Sequence, residues 1–209
     1  MQRFPRTATN IITAVTAAAW LIALMLGQSE QAAYALGFVP IRVTMPGIIA
    51  PAVPAFLTPL TATLVHSGLV HLGFNLLMLV WCGTQVERII GPGGLVLLYV
   101  VGAFAAAAAQ WGVNPHGSVP MIGASGAISA IVGAFALSYG RARAFTNNLA
   151  INRWINVTWL MIAWIVLQLM MGWLGNQQGY LLATPAHVGG FAAGLLLQRP
   201  LLLWRYRNA

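Results

Sequence analysis

Six apolar runs, each long enough to cross the ~30 Å hydrocarbon layer of a bilayer, take up most of this chain. They fall at residues 11–27, 64–83, 94–111, 122–139, 154–172 and 185–204, with a long connection over 28–63. The expected fold class is all-α: a polytopic membrane protein whose residues 1–209 form one transmembrane domain of six helices. Composition agrees, since 59% of the residues are hydrophobic, 6% are charged, and Lys and Asp are absent altogether. The formal charge of +8 comes from ten Arg against Glu30 and Glu87. These Arg stand singly between apolar runs rather than in an aromatic-laced patch, which excludes a nucleic-acid partner and leaves the lipid bilayer as the surrounding medium. Cys82 is the sole cysteine, so no disulfide forms within the chain.

Positive residues collect in cytoplasmic loops, and six spans with both termini inside put Arg3, Arg6, Arg88, Arg141, Arg143, Arg153, Arg199, Arg205 and Arg207 on that side. Only Arg42 falls outside. One span more or fewer scatters them. A bacterial inner membrane fits this distribution best. The run 11–27 follows Arg3 and Arg6 as a signal peptide's apolar region would, but its length favours a first spanning helix. In the connection 28–63, Pro40, Pro46, Pro51, Pro54 and Pro59 break regular structure while Phe38, Ile48 and Phe56 keep it apolar, as expected of a loop lying partly in the interface.

Polar groups inside spans are costly, so those that share one depth draw attention. His66, Ser67, His71 and Asn75 are expected in the outer half of the second span, with His71 and Asn75 stacked one turn apart on one face. Ser125 heads the fourth, between Gly123 and Gly126, and His187 stands near the outer end of the sixth, where Thr184 is the expected N-cap and Pro185 the first helical residue. Each of these taken singly has an ordinary packing role open to it. Three helices delivering a hydroxyl, imidazoles and a carboxamide to one depth is the less ordinary fact. Small residues at Gly126, Ala130 and Gly133 on the fourth span, and at Gly190 and Gly194 on the sixth, permit close backbone approach.

An activated serine needs a base within hydrogen-bond reach and donors aimed at the developing oxyanion. His187 is the candidate base for Ser125; the backbone N–H of Ser125, His71 and Asn75 are the candidate oxyanion donors. A Ser-His-Asp triad is excluded, because the chain has no Asp and Glu30 and Glu87 are expected in a loop and at the inner side. Serine chemistry here requires a dyad.

On these residues the chain resembles the rhomboid family of intramembrane serine proteases. Gly123-Ala-Ser125-Gly126 is similar to its G-x-S-G motif, His71-Leu-Gly-Phe-Asn75 to its H-x-x-x-N, and His187-Val-Gly-Gly190 with Gly194 to its H-x-x-G-x-x-x-G. The resemblance implies a compact six-helix bundle, with Ser125 as nucleophile, His187 as base, and His71 and Asn75 at the oxyanion. It implies cleavage of transmembrane protein substrates near their outer ends, with no cofactor and no metal. It further implies a lid over 175–182, a lateral gate in span five, and a structural role for the pair Glu87-Arg88. Two departures stand out: Leu57-Thr58 replaces the family's Trp-Arg in the first loop, and Ser129 stands where some members stack a Tyr on the base, so looser positioning of His187 is expected. Two other readings are a catalytically silent relative that binds spanning helices, marked by loss of Ser125 or His187, and a small transporter. The transporter needs a polar path to the inner face, and Leu76-Leu-Met-Leu-Val-Trp81 closes it below Asn75.

Overall fold

A computed structural model describes residues 7–49, 52–139, 145–174 and 183–207; the expected lid, and Arg3, Arg6, Arg141 and Arg143, lie outside these. The described residues are helical apart from loops and one isolated bridge between Phe38 and Met121. The helices are α1 (Ala8–Met25), α2 (Ser29–Leu36), α3 (Thr58–Thr61), α4 (Leu69–Met78), α5 (Thr84–Val113), α6 (Ser125–Tyr139), α7 (Leu149–Leu174) and α8 (Thr184–Arg205).

Helix α4 passes through a π turn at Leu79–Gly83 into α5, making an apolar run of 45 residues. At 1.5 Å per residue that is roughly twice the thickness of a membrane core, so the run has to double back. It does so at Gly91, whose φ of 77° lies in the left-handed region, followed by Pro92. The bend falls between the runs expected as the second and third spans. By length and apolarity Ala8–Met25, Leu69–Val113 and Leu149–Met170 suffice to cross a membrane. Helix α6, of 15 residues, is shorter because it is the centre of the bundle rather than its lipid face: every residue from Ser125 to Ala134 is buried.

Glycine sets the packing around α6. A Cβ on Gly190 would lie 2.1 Å from the Gly126 carbonyl oxygen, one on Gly194 2.0 Å from that of Ala130, and one on Gly133 2.3 Å from that of Phe191. Helices α6 and α8 therefore touch backbone to backbone along the small faces expected from the sequence. Helix α5 closes the other side, where Gly102 faces Ala130. Among the described side chains helix α7 buries Asn152, Val157, Trp164 and Gln168 and turns Trp159, Ile162 and Val166 outward.

Several boundaries differ from expectation. The connection 28–63 is not a plain loop: Ser29–Leu36 forms α2 before the first proline, and short 3-10 turns follow at Pro40–Val43, Ala55–Leu57 and Ala62–Leu64. Its run Ser-Glu-Gln-Ala-Ala-Tyr-Ala-Leu holds good helix formers, with Glu30 at the positive end. The second span begins at Leu69, so His66 and Ser67 precede it. Thr184 is not the N-cap of α8; Ala183 is, without a side-chain bond, and Thr184 is already helical.

Glu87 serves structure: it is buried within α5 and caps α1, its carboxylate accepting from Ala8 N at 2.8 Å, Thr9 N at 2.9 Å and Thr9 Oγ1 at 2.6 Å. The first N–H groups of a helix have no internal partner, and a carboxylate there meets both the donors and the positive dipole end. Gly83, one turn earlier, gives Thr9 room; a Cβ there would lie 3.2 Å from Thr9 Cγ2. Replacing Glu87 with Ala is expected to cost about 2 kcal/mol and release α1, read as a lowered Tm with early proteolysis of α1.

Candidate active site

Ser125 is the first residue of α6, and the segment leading to it is fixed from three sides. Phe38 and Met121 exchange both backbone hydrogen bonds, at 3.0 and 2.8 Å, and Gly123 N donates to Ala62 O at 2.9 Å. Gly123 has φ 104°, and a Cβ on it would lie 2.6 Å from His71 Nε2. Glycine is thus required twice at this position, for the backbone and for the imidazole beside it. His66 receives the Ala124 N–H on Nε2 at 3.4 Å and packs edge-on against the His71 ring with centroids 5.0 Å apart.

The Ser125 Oγ and His187 Nε2 lie 2.9 Å apart, both residues buried. They belong to helices 62 residues apart in sequence, and the Gly126–Gly190 contact is what lets them meet. The Gln168 amide Nε2 stands 3.4 Å from the same His187 nitrogen. An amide N–H only donates, so this geometry suits an imidazole whose Nε2 is unprotonated and accepts from the hydroxyl. Such a pair can deprotonate the serine oxygen as it attacks an electrophile.

His71 is half-buried, its Nδ1 3.1 Å from Ser67 Oγ and its Nε2 against Gly123. Asn75 is fully buried; its Nδ2 donates to His71 O at 2.9 Å, and its Oδ1 has no partner. The fold thus gathers Ser125, His187 and His71 at one end of the bundle and sets Asn75 one turn along α4. Among the described residues no hydrogen bond joins Asn75 to Ser125. His116, between Pro115 and Gly117, is exposed and lies outside this cluster.

Ser129 bonds to groups other than the His187 ring. Its Oγ donates to Ser125 O at 2.6 Å and accepts from Trp164 Nε1 at 2.8 Å, while the Trp164 ring stacks on Phe74 at 5.8 Å. Helix α7 therefore reaches the serine through Trp164 and the histidine through Gln168, a turn apart. Sequence reasoning passes over Gln168 and Trp164 and gives His66 no role. The signal for Gln168 is a lone carboxamide inside an apolar run at the depth of the others. That for His66 is a histidine five residues before His71, and Trp164 carries none beyond its helical register with Gln168.

A lipid-soluble helical bundle that closes a serine hydroxyl onto an imidazole, with no carboxylate behind it, defines a class of integral membrane protein built around a buried hydroxyl–imidazole pair. The Rhomboid domain model matches residues 54–204, and the chain belongs to the rhomboid family. Among curated relatives, it is 31% identical to rhomboid protease GluP of Bacillus subtilis over 65% of this chain and 24% of that one. It is 30% identical to rhomboid protease GlpG of Yersinia enterocolitica over 69% of this chain and 46% of that one. It is also 31% identical to rhomboid-type serine protease 2 of Emericella nidulans over 64% of this chain and 24% of that one. The chain thus spans about a quarter to a half of the length of the curated relatives it matches.

Proposed function

We propose that the protein is an intramembrane serine endopeptidase that cleaves transmembrane protein substrates with a Ser125–His187 dyad. The 2.9 Å contact between Ser125 Oγ and His187 Nε2, inside an apolar bundle, carries this reading. Ser125 Oγ attacks the scissile carbonyl carbon while its proton passes to His187 Nε2. The oxyanion so formed is received by the Ser125 N–H at the start of α6, by His71 and by the free N–H of the Asn75 amide. His187 then returns the proton to the leaving amine, and a water repeats the sequence on the acyl-enzyme. No cofactor or metal enters these steps.

The domain carries six spans with both ends in the cytoplasm of a bacterium and the dyad at the outer face. In support, Arg153 donates to Leu137 O and Arg205 lies against Gly91, both at the end of the bundle remote from Ser125. Helix α7 is the gate through which a spanning substrate reaches Ser125.

The test is labelling of the purified protein by a serine-directed fluorophosphonate, with the modified residue located by peptide mass spectrometry. Label on Ser125 is expected; a folded wild type that takes none rules the reading out. Asn75→Ala is expected to lower kcat about 100-fold, the usual loss for one oxyanion donor, while Ser125 still takes the label. Unchanged turnover removes Asn75 from that role.

A further inference from the structure

The first loop buries a cation that nothing in the described residues neutralises. Arg42 lies in the 3-10 turn Pro40–Val43 and is 4% exposed. Its Nη2 donates to the Val53 carbonyl, while the N–H groups of Nε and Nη1 have no acceptor. Buried guanidinium groups ordinarily hold an anion or saturate their donors, and a half-satisfied one is costly. Neither carboxylate of the chain serves: Glu87 is committed to α1, and Glu30 stands exposed on α2.

Arg42 also lines an apolar groove of about 580 Å³ between the first loop and α5, with Phe38, Val43, Phe56, Phe104 and Trp111. The volume falls within the ~300–1,000 Å³ of small-molecule sites. Its rim is open, with Phe56 69%, Val43 45% and Phe104 41% exposed on the face that a membrane would cover. Trp111, near the end of α5, is of the type that anchors at headgroup level.

We propose that this groove binds one anionic phospholipid, its phosphate diester on the Arg42 guanidinium and an acyl chain between Phe56 and Phe104. The unaccepted donors ask for an oxyanion, and the groove beside them asks for hydrocarbon; a phospholipid joins the two in one molecule. Free phosphate would gain nothing from the groove. A spanning peptide helix has its backbone paired and could offer only an acidic side chain, which is costly to hold beside hydrocarbon. No carboxylate lines the groove to receive a choline ammonium, which favours an anionic headgroup over a zwitterionic one. The site is separate from the dyad, and the loop that holds it pairs through Phe38 with Met121, four residues before Ser125.

Native mass spectrometry of the delipidated full chain tests this, with phosphatidylglycerol and phosphatidylcholine supplied at equal concentration. One phosphatidylglycerol is expected to be retained over phosphatidylcholine by about tenfold, and Arg42→Gln to abolish the preference. Ala108→Phe, which fills the exposed side of the groove with Arg42 intact, is expected to lower retention of both lipids. Equal retention of the two lipids by the wild type overturns the proposal, as does an unchanged preference in a folded Arg42→Gln. Displacement of the lipid by millimolar inorganic phosphate, equally in wild type and Ala108→Phe, shows a free-anion site and overturns it too. Should Arg42→Gln fail to fold, judged by its melting without lipid, Ala108→Phe decides: undiminished lipid retention there rejects the groove.

Discussion

Replacing His187 with Ala is expected to lower turnover of a transmembrane substrate by at least about 10⁴-fold, with Ser125→Ala at or below the same residual rate. The size follows from what stands behind the histidine. In a triad a carboxylate orients the imidazole and supports its charge, so catalytic work is spread over three groups. Here the chain has no Asp, Glu87 is bound to the α1 backbone, and Glu30 is exposed on α2. Among the described residues Gln168 is the remaining polar side chain on the His187 ring, and a neutral amide replaces neither the base nor its charge. Without His187 the Ser125 hydroxyl keeps, among the described residues, no hydrogen-bonded base to take its proton. The two variants are also expected to be non-additive, since each disables the same proton transfer. Both residues are small or uncharged in function within the fold, so the variants should keep wild-type helicity by circular dichroism. A folded His187→Ala that cleaves within tenfold of the wild type rejects the dyad.

How much of this was legible in the sequence varies residue by residue. The apolar helices were, because lipid imposes length and apolarity on them directly; the exceptions are instructive. Helix α6 has little contact with lipid and is accordingly short, and the bend between the second and third spans is a single left-handed glycine, Gly91, rather than a loop. The Ser125–His187 pairing was legible because close backbone approach leaves a mark, glycines at helical spacing on both partners. Glu87 was half legible. Its place just past an apolar run is visible, but its partner is the backbone of α1, which has no sequence signature; only Thr9, whose hydroxyl also donates to it, hints at the contact. Ser129 shows the limit of reasoning by replacement. Losing an aromatic ring at that position suggests a looser histidine, whereas the hydroxyl instead bridges Trp164 to the Ser125 carbonyl, and Gln168 comes in from the same helix. Those partners lie on α7, 35 residues or so along the chain, and a pattern within one segment does not reveal them.

The sharpest test of the helix contact is one substitution made twice. Gly→Ala inside a helix is favourable by up to ~1 kcal/mol when the methyl group meets nothing, because alanine loses less backbone freedom on folding. At Gly112, near the end of α5, a Cβ has no atom within 4 Å, so Gly112→Ala is expected to be neutral or slightly stabilising. At Gly190 the same methyl would sit 2.1 Å from the Gly126 carbonyl oxygen and 3.0 Å from Ser129 Cβ. Neither neighbour can turn aside: one is backbone, and the other is held by Trp164 and Ser125. Helices α6 and α8 must then separate, at a cost of about 3 kcal/mol or more. Because the hydroxyl of Ser125 and the ring of His187 are carried on those two helices, a shift of about 1 Å is expected to lower turnover about 100-fold as well. Gly190→Leu should go further and leave little folded protein. Thermal melting and substrate cleavage measured on Gly112→Ala and Gly190→Ala read the two terms separately. Equal Tm and equal turnover in the pair would mean that the glycines of α8 are not what brings histidine to serine, and the contact would have to be sought on another face.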